Sequence, residues 1–129
     1  MRPALAGLAA AALLAGCGSE AETDEPLAVR DCGRYDLAHD PPSDVEREQN
    51  QCLLDALAGE EAATLVVTRA TIEGDPITTT YEAREGGAIE LAVDTTRDRY
   101  GPQAVSTLRC DGLREADGVL EAGGCEPAP

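Results

Sequence analysis

The sequence predicts a small α+β domain in which one N-terminal helix packs on an antiparallel sheet of about four strands. Three observations lead to this prediction. The chain contains a capped amphipathic segment, a series of β-branched runs separated by tight turns, and four cysteines within the part that would fold. The cysteines predict that disulfides staple the domain.

The first sixteen residues have the features of a removable export signal. Arg2 is a minimal positive region, and residues 4–14 form an apolar run too short to span a bilayer. The tetrapeptide Leu14-Ala15-Gly16-Cys17 resembles the lipobox of bacterial lipoproteins. This resemblance implies that Cys17 becomes the first mature residue, carries lipid on its sulfur and amine, and holds the protein to the extracytoplasmic side of the cell membrane. The alternative is an ordinary signal peptide, residues 1–16, with Cys17 as a spare thiol.

Residues 17–29 predict a flexible acidic tether, because they are too polar to bury enough apolar surface to offset their ordering entropy. Residues 30–129 then form a single domain. The chain has a formal net charge of −15 and contains no Trp or Phe. Such acidity opposes binding to nucleic acid, and few side chains are present on which bases could stack. We therefore expect no nucleic-acid partner, and no motif indicates a cofactor.

The helix is predicted over residues 43–58. Ser43 and Glu46 match a capping box, and Gly59 supplies a stop signal. Apolar residues recur between them at the spacing of one helix face, as expected of a helix that packs on a sheet. The residues of this face are Val45, Cys52, Leu53, Ala56 and Leu57.

Four strands are predicted after the helix. Residues 64–71 and 77–84 flank a tight acidic turn, and Gly86-Gly87 leads into a third strand over residues 88–94. Two tight turns in succession predict a three-strand meander. Residues 104–110 are a fourth candidate, and residues 113–125 predict a short hairpin.

Cys32, Cys52, Cys110 and Cys125 form an even set in an exported chain, which favours two disulfides. The absence of CxxC spacing and the presence of one histidine, His39, argue against a zinc site. Four cysteines allow three connectivities. We favour Cys32 with Cys52 and Cys110 with Cys125, because each pair brackets one structural unit.

A longer pattern also carries a resemblance. The segment Thr71-x-Glu73-Gly74-Asp75-Pro76-Ile77, the later segment Asp94-x-x-x-Asp98-Arg99-Tyr100-Gly101 and Cys110 together resemble a family of uncharacterised bacterial lipoproteins that carry a domain of unknown function. The resemblance covers residues 65–110. It implies an exported, membrane-tethered domain and brings no activity, substrate or cofactor.

The meander should bring the acidic turn and the loop after the third strand to one edge of the sheet. Four carboxylates at this edge could hold a hard cation such as Ca²⁺. They are Glu73, Asp75, Asp94 and Asp98. The simpler interpretation is that they accept hydrogen bonds from local backbone amides, while Arg97 and Arg99 neutralise them. The residues of this candidate binding surface are Glu73, Asp75, Asp94, Asp98, Arg99 and Tyr100.

Catalysis has little support in the sequence. No Gly-x-Ser-x-Gly elbow is present, and the pair Glu73 and Asp94 lacks the aromatic walls that glycosidase sites usually have. The sequence therefore favours a non-catalytic lipoprotein that binds an envelope protein or a wall component. The alternative is a cation-dependent ligand-binding module or a hydrolytic enzyme that uses the same carboxylates.

Overall fold

One helix and eight strands make up the part of the chain that the computed structural model describes, residues 28–37 and 42–129. In chain order they are β1 (Arg30–Leu37), α1 (Asp44–Ala58), β2 (Ala63–Ala70), β3 (Pro76–Ala83), β4 (Ile89–Asp94), β5 (Val105–Cys110), β6 (Gly112–Ala116), β7 (Val119–Gly123) and β8 (Glu126–Pro127). Six strands form one sheet in the order β1-β2-β3-β4-β5-β8, and β6 pairs with β7 in a separate hairpin.

The α+β class and the meander β2-β3-β4 are confirmed, but the strand count and the position of the helix were wrong. The main sheet has six strands instead of four, and the helix is not N-terminal because β1 precedes it. β1 pairs parallel to β2, whereas the other neighbours in the sheet are antiparallel. The unit β1-α1-β2 thus adds an edge strand that the sequence analysis missed.

β1 was missed for two physical reasons. Arg30–Leu37 contains no β-branched residue, so it lacks the usual strand signal. A β-bulge between Asp31 and Arg34 also breaks the two-residue alternation. Gly33 lies in this bulge with φ +95°, a conformation that favours glycine. β8 has only two residues, too few to produce a sequence pattern.

The helix begins as predicted. The Ser43 side chain accepts a hydrogen bond from the Glu46 amide, and the Glu46 carboxylate accepts one from the Ser43 amide, so the capping box is confirmed. Val45 was wrongly placed on the buried face, since it is 65% exposed. At 3.6 residues per turn Val45 lies only about 20° around the helix axis from Ala56, which is fully buried, so its exposure comes from its position in the first turn of α1.

The core lies between one face of the sheet and a cover formed by α1 and the β6-β7 hairpin. Alternate residues of β2, β3 and β4 point into it, and Leu120 of the hairpin belongs to the same cluster. Its largest apolar members are Leu53, Leu65, Val67, Tyr81, Ile89, Leu91 and Leu120. Asn50 is also buried there, where it accepts a hydrogen bond from the Tyr35 hydroxyl at 2.6 Å and donates one to the Gly118 carbonyl at 2.9 Å.

Two disulfides lie near the two edge strands of this sheet. Cys32 pairs with Cys52 and joins β1 to α1, while Cys110 pairs with Cys125 and closes the segment that contains the β6-β7 hairpin. The favoured connectivity is therefore confirmed. The signal peptide 1–16, Cys17, most of the tether and His39 lie outside the described residues. The one helix in the described ranges is not long and apolar enough to cross a membrane.

Candidate functional site

Two chain connections lie together at one end of the sheet. Residues 71–75 join β2 to β3, and residues 95–104 join β4 to β5. Because these strands alternate in direction, both connections leave the sheet at the same end, as the meander predicted. We call these two segments the paired loops.

Thr71 closes the first of the paired loops. Its amide donates to the Asp75 carbonyl at 2.8 Å, and its carbonyl accepts from the Gly74 amide at 2.9 Å. Its hydroxyl also accepts a hydrogen bond from the Asp75 amide at 3.1 Å. Gly74 has φ +88°, which a residue with a side chain adopts only with strain. Two of these three hydrogen bonds join Thr71 to Asp75 and so hold Asp75 in a fixed position.

Asp75 ties the two loops together. The Arg99 amide donates to Asp75 Oδ2 at 3.0 Å, and Arg99 Nε donates to both carboxylate oxygens at 3.0 and 3.1 Å. Asp75 is only 7% exposed. The hydrogen bonds from Arg99 hold the pKa of the Asp75 carboxyl below its usual range, and Asp75 in turn raises the pKa of Arg99. Charge-assisted bonds of this kind are the stronger ones in proteins, so the paired loops form one unit.

The second loop is also held by its own aspartates. Asp94 Oδ1 accepts from the Thr96 amide at 2.9 Å and from the Thr96 hydroxyl at 2.6 Å. These bonds lower the pKa of Asp94, the hydroxyl having the larger effect. Asp98 Oδ1 accepts from the amides of Tyr100 and Gly101 at 3.0 and 3.1 Å. A Cβ at Gly101 would overlap Asp98 Oδ2, so a side chain there would displace this carboxylate from its hydrogen bonds.

The structure thus brings Asp75 and Arg99 into direct contact, and it gives Asp94 and Asp98 separate partners in the same loop. Glu73 is exposed in the first loop. Across residues 28–37 and 42–129, no group of three or more His, Cys, Asp or Glu side chains is arranged to hold a metal ion. Asp94 and Asp98 instead accept hydrogen bonds from backbone amides two residues further on, as expected of Asx-type turns. Asp75 forms no such turn, because the backbone amide that it binds belongs to Arg99 in the other loop.

The sequence analysis placed Tyr100 in the candidate binding surface, but it missed Ile72, a second exposed apolar side chain at this end. Ile72 is fully exposed in the first loop, and Tyr100 is 75% exposed in the second. The guanidinium of Arg99 lies 5.7 Å from the centroid of the Tyr100 ring. An isoleucine within an acidic turn was the available signal, since it has no packing role in a loop of that length.

A shallow depression of about 450 Å³ adjoins the paired loops and was also missed. β1 contributes Asp36 and Leu37 to its lining, and the paired loops contribute Gly74 and Arg97. Thr68 and Thr78 face it from adjacent strands, with their hydroxyl oxygens 3.2 Å apart. The depression requires β1 as one wall, so an analysis that lacked β1 could not locate it.

No protein-family model, curated protein or solved structure matches this chain. Its function is therefore argued from its own residues and geometry.

Proposed function

We propose that the protein is a membrane-tethered extracytoplasmic lipoprotein whose domain is a non-catalytic binding module. In this proposal the paired loops bind an envelope protein or a wall component. The observation that carries the proposal is the contact between Asp75 and Arg99, which joins two surface loops into one fixed surface. A surface ordered before binding loses less conformational entropy on association, so the affinity for a partner is higher.

The position of the loops relative to the tether also supports the proposal. Arg30 pairs with Ala63 at the start of β2, whereas the first of the paired loops follows Ala70 at the end of that strand. The eight residues of β2 separate these ends by about 25 Å at about 3.3 Å per residue. A tether that enters at Arg30 would therefore leave the paired loops at the far end of the domain, open to a partner.

The lipid anchor is tested by the variant Cys17→Ser. We expect it to block lipid attachment, because the lipobox cysteine supplies the sulfur and the amine that are acylated. Membrane fractionation after growth with a labelled fatty acid measures this directly. Continued labelling and membrane retention of Cys17→Ser would contradict the lipoprotein assignment.

Binding by the paired loops is tested with the fluorescently labelled Cys17→Ser chain. The chain is added to envelopes isolated from cells that lack the gene for this protein. We expect saturable binding that unlabelled protein competes. Glu73→Arg should weaken it, because this charge reversal lies in the first of the paired loops. Glu48→Arg makes the same charge reversal on the exposed side of α1 and is the matched control. Equal binding by both variants, or binding that does not saturate, would contradict the proposal.

A further inference from the structure

We infer that Ile72 and Tyr100 form an apolar contact pair that inserts into a basic-rimmed pocket of a partner protein. This inference rests on the proposed function, since it assigns the contact residues and the chemistry of the partner to the same paired loops. It adds Ile72, which the sequence analysis did not single out, and pairs it with Tyr100.

The distribution of exposed apolar side chains is the first argument. Single exposed apolar residues are ordinary on protein surfaces. Here, however, three of the five large exposed ones in the described ranges lie at one end of the sheet: Ile72, Tyr100 and Val105. Val105 is 59% exposed at the start of β5, directly after the second of the paired loops. Of the other two, Val29 precedes β1 and Val45 lies in α1.

The second argument is that both side chains stand on ordered backbone. Ile72 lies within the turn that Thr71 closes, and the Tyr100 amide is bound by Asp98. The Asp75–Arg99 contact then holds the two loops in one arrangement. Tyrosine is enriched among residues that dominate binding energy, because it buries a large rigid ring at low entropic cost.

Charge decides which kind of partner fits. Asp75 and Arg99 neutralise each other, which leaves Glu73, Asp94 and Asp98 against Arg97. The adjoining depression adds one charge of each sign, Asp36 and Arg69, so the surface stays net negative. The chain as a whole carries −15. Such a surface is repelled by anionic lipid head groups and attracts a positively charged protein surface. The observations therefore favour a basic protein surface over the membrane as the occupant.

The test uses the full chain in its native envelope. The photo-crosslinking amino acid p-benzoylphenylalanine is placed at position 72, at position 100 or, as the control, at position 45 on α1. We expect positions 72 and 100 to give an adduct with the same protein, and position 45 to give none. Mass spectrometry should map the adduct to a partner segment rich in Lys and Arg. Crosslinking in isolated membranes should fall in about 1 M NaCl, where the Debye length is about 3 Å.

Binding of the identified partner then measures the contribution of each side chain. Ile72→Ser and Tyr100→Ser should each raise the dissociation constant by about 10-fold or more, as for residues at the centre of an interface. Val45→Ser is the matched control and should leave it unchanged. A structural defect is excluded if the variants keep the wild-type melting temperature, which we expect because both side chains are exposed.

Several outcomes would overturn the inference. Adducts with lipid would show that the loops face the membrane. Adducts with a protein segment that is not basic, together with a crosslinking yield that does not respond to salt, would reject the partner chemistry while leaving the proposed binding role intact. No adduct from positions 72 and 100, with one from position 45, would reject both the inference and the proposed binding surface.

Discussion

Asp75 connects two segments that are 24 residues apart in the chain, because all three hydrogen bonds that join the paired loops end on its carboxylate. The sequence placed Asp75 and Arg99 on one surface, where Arg97 and Arg99 were equivalent candidates for neutralising the acidic cluster. The structure distinguishes the two arginines. Arg99 bonds Asp75 through both its backbone and its side chain, whereas Arg97 lines the adjacent depression.

The ion pair predicts a pH dependence. The hydrogen bonds from Arg99 lower the pKa of Asp75 in the folded state, while the unfolded carboxyl protonates near pH 3.9, an approximate reference pKa. The stabilisation is therefore fully present above about pH 4 and is lost as the pH falls through the folded-state pKa. We expect the free energy of unfolding to fall less steeply below about pH 4 in Asp75→Asn than in the wild type.

Urea denaturation at a series of acidic pH values measures this difference. The pKa of Asp94 is also lowered in the folded state, so Asp94 likewise stabilises the fold less as the pH falls. Part of the acid dependence should therefore persist in Asp75→Asn and disappear when Asp94→Asn is added. Glu48→Gln removes the same charge from the exposed side of α1 and serves as the control. An unchanged acid dependence in Asp75→Asn would show that the Arg99 contact does not contribute to stability.

Asn50 is the second residue for which the structure makes a specific prediction. It is fully buried and bonds Tyr35, Glu115 and the Gly118 carbonyl, so it connects β1, α1 and the β6-β7 hairpin. Asn50→Ala leaves the buried Gly118 carbonyl and the partly buried Tyr35 hydroxyl without this partner and should cost about 3 kcal/mol of stability. Urea denaturation checks this value. Gln51→Ala, an exposed neighbour on α1, should change stability by less than about 0.5 kcal/mol, and equal effects would refute the role of Asn50.

At the scale of elements, the disulfides hold the parts of the domain with the weakest sequence signals. Cys32–Cys52 closes 20 residues and fastens the irregular edge strand β1, while Cys110–Cys125 closes 15 residues and places β8 beside β5. Neither strand has β-branched residues to stabilise it. The covalent links therefore compensate for weak intrinsic strand propensity at both edges of the sheet.

Removing each disulfide should accordingly act on a different element. Cys32→Ala with Cys52→Ala, and Cys110→Ala with Cys125→Ala, should each cost about 3 kcal/mol by freeing the unfolded chain. Hydrogen exchange should show faster exchange of β1 amides in the first double variant and of the β6-β7 hairpin and β8 in the second. In both variants the β3 and β4 amides should exchange last. Uniform loss of protection across the sheet would contradict this assignment.

At the scale of the whole molecule, the arrangement of carboxylates predicts no response to calcium. A site with a dissociation constant of about 10 μM would add about 2.7 kcal/mol at about 1 mM Ca²⁺. That corresponds to an increase of about 10 to 20 °C in the melting temperature of a domain of this size. We expect no such increase, because the carboxylates of Asp75, Asp94 and Asp98 already accept hydrogen bonds from backbone amides. A calcium-specific increase that is lost in Glu73→Gln would instead support a cation-dependent module.

The elements that the sequence predicted well are those whose signal is local. The capping box at Ser43 and the alternating strands around Tyr81 and Leu91 depend on neighbours within a few residues, so they can be predicted from the sequence alone. Even the meander follows from short turns. Because these turns are local, the sequence alone predicted that the acidic turn and the second loop lie at one end of the sheet.

The features that the sequence did not predict depend on contacts between distant parts of the chain. The residues of β1 favour a strand only weakly. β1 is a strand because it pairs with β2, which follows α1 in the chain, and because a disulfide fastens it to α1. Arg99, and not Arg97, binds Asp75 because the backbone of the second loop aims its amide at that carboxylate. The loops that carry Ile72 and Tyr100 are joined for the same reason: their contact is the Asp75–Arg99 pair, 24 residues apart in the chain, which no local pattern encodes.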